Sequence, residues 1–266
     1  MLFQTTTEHE ALRAKIRAFA EEEIKPIAFS LDQENEFPDE AVKKLGEMGL
    51  MGIPYPKEYG GAGLDITSYA IAVEELARVD GGSGVILSAH VSLGSFPIFA
   101  FGNEEQKQKY LVPLAKGEKI AAFGLTEPNA GSDAGGTETT ALDKGSYYLL
   151  NGGKIFITNA PKADTYVVFA VTTPDIGTRG ISAFIVENPK FFTFSTGVPL
   201  DWYSAAFNCV PNGPVLISIS DLSKKSFTIS IRIFILPASI SGISIQFIFF
   251  QLILYPIAPM LFFISS

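Results

Sequence analysis

Cysteine occurs once in this chain of 266 residues, at Cys209, and histidine twice, at His9 and His90. A single cysteine excludes an internal disulfide framework and any multi-cysteine metal site, and is consistent with a reducing compartment. With two histidines a His-based zinc site is not expected. Positive charge is scarce as well. Lys and Arg number 20 against 28 Asp and Glu, for a net charge of -8. Non-specific binding to nucleic acid needs clustered Lys and Arg against phosphates, so no nucleic-acid partner is expected. No G-x-G-x-x-G follows an apolar strand and no Walker lysine is present, which leaves a Rossmann or P-loop site unsupported. The N-terminal MLFQTTTEHEALR lacks both an apolar signal core and an Arg-rich transit pattern, and a cytoplasmic location is the expectation.

Charge is also missing unevenly. Residues 191–266 carry only five charged side chains, Asp201, Asp221, Lys224, Lys225 and Arg232, and half of the 22 Phe residues lie there. Glu does not occur after Glu187. Such a change of composition inside one domain is abnormal. The two parts are therefore read separately.

The first part opens with helical patterns. Thr7 and Glu10 have the spacing of a capping box, and Leu12, Ile16, Phe19 and Ile24 follow at helical intervals. Phe37-Pro38 opens a second helix with Val42, Leu45 and Met48 on one face, and Gly49 stops it. PYPKEYGGAG, 54–63, reads as a loop, with YGGAG a tight turn. A long helix from about Thr67 carries Ile71, Leu76 and Val79, and GGSG at 81–84 is a candidate interruption. Asn103 with Gln106 caps a short helix that Pro113 ends. Adjacent helical residues do not share a face, so Glu74-Glu75 reads as a solvated surface, as does NEEQKQK at 103–109. His90, in LSAHVSLG, reads as a packed or capping histidine.

Near Lys119 the period changes from 3.6 to 2. KIAAFGLT, TETTALD, SYYLLNGGKIFIT, DTYVVFAVT and GISAFIVE read as strands, with Asn151-Gly152 as a hairpin turn. Helices followed by strands predict an α+β chain: an all-helical domain over 1–116, then an antiparallel, barrel-like β domain over 117–197. Two strand ends turn polar. FGLTEPNAGSDA, 123–134, supplies hydroxyls and an amide with Gly131 among them, and KIFITNA, 154–160, supplies Thr158 after an aromatic Phe156. A flat polar heterocycle needs backbone N–H groups, hydroxyls and an aromatic wall, and these two runs together offer them. Both are also what ordinary turns look like, with Thr126 and Asn129 satisfying their own backbone.

LTEPNAGSDA followed by NGGKIFITNA resembles the flavin-binding middle domain of the acyl-CoA dehydrogenases. IPYPKEYGGAG, SYAIAVEELARVD, FGNEEQKQKYLVPLAKGEKIAAFGLTEPNAGSDA and GISAFIVE are similar to that family in its usual order, over residues 1 to about 190, nearest its short-chain, butyryl-CoA-type members. The resemblance implies FAD as cofactor, lined by Phe123, Gly124, Leu125, Thr126 and Ser132 on one side and by Phe156, Ile157 and Thr158 on the other. It places Ser132 and Thr178 against the acyl-CoA. Phe156 stands where many relatives have Trp, which keeps a flat wall but loses an indole N–H. The implied reaction is α,β-dehydrogenation of an acyl-CoA thioester, with electron-transfer flavoprotein as acceptor and a homotetramer in intact relatives.

The last part departs from the family. Residues 198–266 do not resemble the C-terminal four-helix bundle that carries the family's catalytic carboxylate. No catalytic residue is therefore assigned, and the chain is expected to be inactive alone. The stretch is rich in Ile, Phe and Ser, as out-of-frame translation can be, and a frame error is the favoured reading. The competing one takes 242–263 as a membrane anchor for a non-catalytic flavin or acyl-CoA binding protein, although Pro256 and Pro259 fall inside it.

Overall fold

The structure is a computed structural model that describes residues 4–187 in full, and 192–194, 207–209, 231–240 and 243–252 as backbone strands. The first helix, α1 (Thr7–Phe19), starts one residue earlier than the Thr7–Glu10 spacing suggests. Thr6 is the cap, and the reciprocal partner is His9, whose N–H donates to the Thr6 hydroxyl while its Nδ1 accepts from the Thr6 N–H. A π-helical stretch, Ala20–Ile24, carries the run into α2 (Lys25–Glu34), where Asn35 in the left-handed region ends it. Ile16, Ala20 and Ile24 are fully buried along this seam.

Helix α3 (Asp39–Glu47) buries Ala41, Val42 and Leu45, and Gly49, with φ of 75°, stops the chain as expected. Helix α4 (Ile66–Ala77) is capped by Asp65, whose carboxylate accepts from Ser68 N–H at 2.8 Å and from His9 Nε2 at 3.0 Å. The long helix is interrupted as expected, but over Arg78–Asp80, just before the GGSG run. That run forms the first turn of α5 (Gly81–Ser88), with Asp80 accepting from the Gly82 and Ser83 amides. A second π stretch, Ala89–Ser95, leads into α6 (Phe96–Phe101). By length and composition Gly81–Phe101 could cross a bilayer, yet more than half of it is buried as a core helix. Asn103 and Gln106 form the expected capping box of α7 (Glu104–Gln106), and a third π stretch, Lys107–Leu111, joins it to α8 (Val112–Ala115).

The expected solvated Glu74-Glu75 face is corrected. Glu75 is 1 % exposed, and its carboxylate accepts from Arg13 Nη1, Arg17 Nε and Nη2, and Arg78 Nε. Only Glu74 faces water. Arg17 above all holds the Glu75 carboxyl down at about 2, against the upward push of burial, with Arg13 and Arg78 assisting. An ion pair this well enclosed locks α1 to α4.

The sheet is mixed, not the antiparallel barrel expected. Its central strand is β5 (Thr165–Val171), lined along one edge by β6 (Ile181–Glu187) in antiparallel register, Thr165 opposite Glu187. Along the other edge run β1 (Ala121–Gly124), parallel, and then, at Val171, β2 (Thr140–Asp143), also parallel. The parallel pairs arise because the chain leaves β1 and β2 and returns through long excursions before β5, where a hairpin would have reversed it. β3 (Tyr148–Asn151) pairs antiparallel with β2 through a turn at 144–147, with Gly145 at φ 84° and Lys144 N–H donating to Tyr147. The hairpin therefore falls there and not at Asn151-Gly152. Past Gly152, β4 (Gly153–Lys154) leaves that sheet and pairs with β8 (Phe207–Cys209), which also pairs with β7 (Phe192–Phe194).

The helical and sheet parts share one interior, since Ala121, Val167 and Ile185 pack in the same cluster as Ile16, Leu45 and Leu111. His90, read as a packed histidine, is the bolt. It is fully buried, Nε2 donating to the Leu114 carbonyl at 3.1 Å and Nδ1 accepting from Ala121 N–H at 3.0 Å. Gly94 permits this approach, for a Cβ there would lie 2.4 Å from Ala121 Cβ. Residues Met1–Lys225 form one compact unit and Ser226–Ser266 a second. In the second, β9 (Ile231–Ile240) pairs antiparallel with β10 (Ile243–Leu252). Residues 243–252 of the suggested membrane anchor are thus a strand, and 242 and 253–263 lie outside the described residues.

Candidate functional site

β1 ends at Gly124, and the chain then turns through Leu125–Ala130, closed by reciprocal bonds between Glu127 and Ala130. β4 ends at Lys154, and Ile155 N–H donates to the Thr126 carbonyl at 2.9 Å. That one bond brings the two polar runs side by side. The expected strand through Phe156–Thr158 does not form, because Phe156 has a left-handed backbone, φ 57°, and Asn159 another, φ 69°. A left-handed conformation costs a residue with a Cβ about 1–2 kcal/mol, so the turn is held in place by its neighbours. Ile157 is buried behind Phe156, and Asn159 Nδ2 donates to the carbonyls of Ile86 and Ala121 at 3.1 and 3.2 Å.

The consequence is an aromatic ring turned outward. Phe156 is 61 % exposed although both residues flanking it on the second and first positions around, Lys154 and Ile157, are buried. The hydroxyls of Thr126, Ser132, Thr158 and Thr178 make no hydrogen bond among the described residues, and each is half-buried or exposed. Beside Gly131 the space is open. Ser132 and Thr178 come from separate loops that pack together: a Cβ on Gly135 would touch the Thr178 methyl at 3.1 Å. An exposed flat wall next to unpartnered hydroxyls fits a planar group rich in nitrogen and oxygen.

Not every residue expected here points outward. Phe123 stacks edge-on against Phe169, ring centroids 5.1 Å apart, and Ile157 packs in the sheet's own core. Gly124 is buried and Leu125 half-buried. Of these, Gly124 and Ile157 are buried, while Phe123 and Leu125 keep part of their surface exposed. Three residues in the site's framework were not anticipated: Glu127, Lys154 and Asn159. Lys154 Nζ donates to Glu127 Oε1 at 2.5 Å and to the Leu125 carbonyl at 3.0 Å, and both side chains are almost wholly buried. Burial pushes the Glu127 carboxyl up, but Lys154 and the Thr139 and Glu138 donors outweigh it and hold it below the usual carboxylate range. Glu127 follows Thr126, Asn159 follows Thr158, and Lys154 lies two positions before Phe156. That adjacency was the available signal. No group of His, Cys, Asp and Glu that could hold a metal occurs among the described residues.

Residues 6–118 match the acyl-CoA dehydrogenase N-terminal domain, and residues 122–199 match the acyl-CoA dehydrogenase middle domain. A short-chain specific acyl-CoA dehydrogenase of Clostridium acetobutylicum is 59 % identical over 197 residues, 74 % of this chain and 52 % of that protein. Among solved structures, butyryl-CoA dehydrogenase from Megasphaera elsdenii superposes with a TM-score of 0.73 at 40 % identity, covering 79 % of this chain and 58 % of that one. An acyl-CoA dehydrogenase from Bacillus anthracis, solved in complex with FAD, superposes at 0.71 with 37 % identity, over 81 % of this chain and 38 % of that one. This chain spans about half the length of the curated relatives it matches. With both domains matched in order and the helical and sheet layers superposing, the chain belongs to the acyl-CoA dehydrogenase family.

Proposed function

We propose that the outward edge between Thr126 and Phe156 holds the isoalloxazine ring of FAD and that the protein serves α,β-dehydrogenation of a short-chain acyl-CoA thioester. The observation that carries this reading is the exposed Phe156 ring, fixed in a left-handed turn that Ile155 N–H ties to Thr126. When bound, FAD supplies the two-electron oxidation, which no protein side chain here can perform. Phe156 covers one face of the ring and excludes water from it. Thr126 and Thr158 present hydroxyls to its polar edge, and the backbone of Phe123–Leu125 lies alongside. Ser132 and Thr178, from loops that pack together at Gly135 and Thr178, meet the acyl-CoA. Such groups act by fixing the reactants' relative placement, which alone can lower a barrier by several kcal/mol. No residue is assigned as the base. Electron-transfer flavoprotein is the electron acceptor and a homotetramer the assembly that family membership suggests. The lone cysteine suits the cytoplasm.

Titrating the chain with FAD while following flavin fluorescence tests the proposal. Saturable quenching is expected, and a flavin whose emission is unchanged by excess protein overturns it. Adding butyryl-CoA to the loaded protein then tests substrate class through a shift of the flavin absorption on binding, without bleaching, since no base is assigned.

A further inference from the structure

A buried Lys–Glu pair is poor evidence for stability, because apolar side chains of similar volume often serve a fold as well. The Lys154–Glu127 pair therefore needs another reason to stand where it does. It joins three segments. Nζ of Lys154 reaches the Leu125 carbonyl and the Glu127 carboxylate, which in turn accepts from Glu138 N–H at 2.6 Å and Thr139 N–H at 3.1 Å. Next along the chain, Ile155 N–H takes the Thr126 carbonyl. Both carbonyls around Thr126 are thereby turned toward residues 154–155.

In a planar trans peptide the N–H points opposite to the C=O. With the Leu125 carbonyl fixed on Lys154, the Thr126 N–H must point away from Lys154, where it meets no acceptor among the described residues. The Thr126 hydroxyl is likewise unpartnered there. One ammonium thus sets the orientation of a peptide plane whose donor meets no acceptor among the described residues. Glu127 in turn pins the ammonium. Lys154 also orders the next two residues, since its strand position is what delivers Ile155 and Phe156 to Thr126.

We propose that Lys154 and Glu127 are positioning residues for the cofactor: buried and untouched by it, they aim the Thr126 N–H and hydroxyl at the flavin edge. The inference rests on the FAD reading above. It differs from a structural role in one measurable respect, which is that affinity and stability separate.

The test uses the 266-residue chain, FAD as probe, fluorescence for affinity and urea unfolding without FAD for stability. Lys154→Met alone strands the Glu127 charge and should weaken both. In Lys154→Met/Glu127→Gln no buried charge is left, and the glutamine oxygen still accepts from Thr139. Its unfolding midpoint should return close to the unmutated chain's, while FAD affinity stays weaker by about tenfold or more, as expected when a binding group loses its support. Affinity that recovers together with stability overturns the proposal. Should the double variant fail to fold, Glu127→Gln alone decides. That variant leaves the Lys154 ammonium buried without its carboxylate and lowers the midpoint, so affinity is read on the folded fraction without urea: weaker by about threefold upholds the proposal and unchanged affinity overturns it. If the unmutated chain binds no FAD, the functional reading itself falls and takes this inference with it. A chain that binds FAD as well with the pair removed leaves the functional reading intact and refutes only the positioning role.

Discussion

The helical region and the outer edge of the sheet treat polar groups in opposite ways. In the helices, charge is consumed internally. Glu75 is ringed by Arg13, Arg17 and Arg78, and His90 has both ring nitrogens engaged by backbone. At the sheet edge, four hydroxyls and a phenyl ring are held at fixed positions with nothing among the described residues to satisfy them. One region spends its polar chemistry on its own architecture, and the other holds it in reserve for something else. Preorganised groups without partners are what a binding edge requires, since they need no reordering when the ligand arrives.

The helical side gives way most at Glu75. Replacing it with Ala leaves three guanidinium groups around an emptied site, and loss of one member of a buried ion pair costs about 3–5 kcal/mol. Urea unfolding should show that loss, while FAD affinity of the folded fraction stays unchanged. The same carboxyl gives a pH signature. Its value of about 2 lies below the ordinary 4.5, so its contribution is complete above pH 4.5 and disappears as pH falls toward about 2. Equal acid sensitivity in Glu75→Ala and the unmutated chain over that range would contradict the assignment.

His90→Leu should come next, at about 2–3 kcal/mol, because the Leu114 carbonyl and the Ala121 N–H would be left buried without partners. Burial pulls this histidine from 6.5 to about 4, against the weaker pull of its backbone bonds. The folded state therefore binds its proton less readily than the unfolded chain. Stability from this group is full above pH 6.5 and falls as pH drops from 6.5 through about 4. The variant should lose that slope in pH-dependent unfolding; a slope identical to that of the unmutated chain would mean that His90 is not its source.

The smallest effect on the fold should come from Phe156→Gly, and its sign is opposite. Glycine adopts a φ of 57° without the clash that phenylalanine carries, a gain of about 0.5–1 kcal/mol after its own entropic cost. FAD affinity should nevertheless fall about tenfold with loss of the wall. A variant both less stable and equally tight for FAD would show Phe156 to be a packing residue.

What the sequence conveyed follows the same division. Local chemistry was legible. The Asn103–Gln106 capping box formed where its spacing placed it, Gly49 ended its helix, and the first cap was displaced by one residue only. Partnership over distance was not. Glu75 reads as a surface charge because two of its arginines, Arg13 and Arg17, lie about sixty positions away, and a helical period alone does not say which face meets another helix. Asn151-Gly152 has hairpin composition, yet β4 pairs with residues 207–209, and a distant strand overrides local turn preference. At the site, Thr126, Phe156 and Thr158 could be singled out by residue type. For the lysine and glutamate that hold them the one signal was nearness to Thr126 and Phe156, since an isolated Lys or Glu in sequence carries no mark of burial.

The three π-helical stretches bear on how this chain can lengthen or shorten in evolution. Each closes on a bond spanning five residues, Lys25 to Ala20, Phe96 to Val91 and Val112 to Lys107, so each accommodates one residue more than an α-helical turn. At 3.6 residues per turn, one residue rotates everything downstream by about 100°. A one-residue deletion at Ala89–Ser95 would leave a sound helix and still swing Phe96 and all that follows off its contact face. The bulges thus act as frozen insertions: tolerated where they stand, they fix the reading phase of every helix after them.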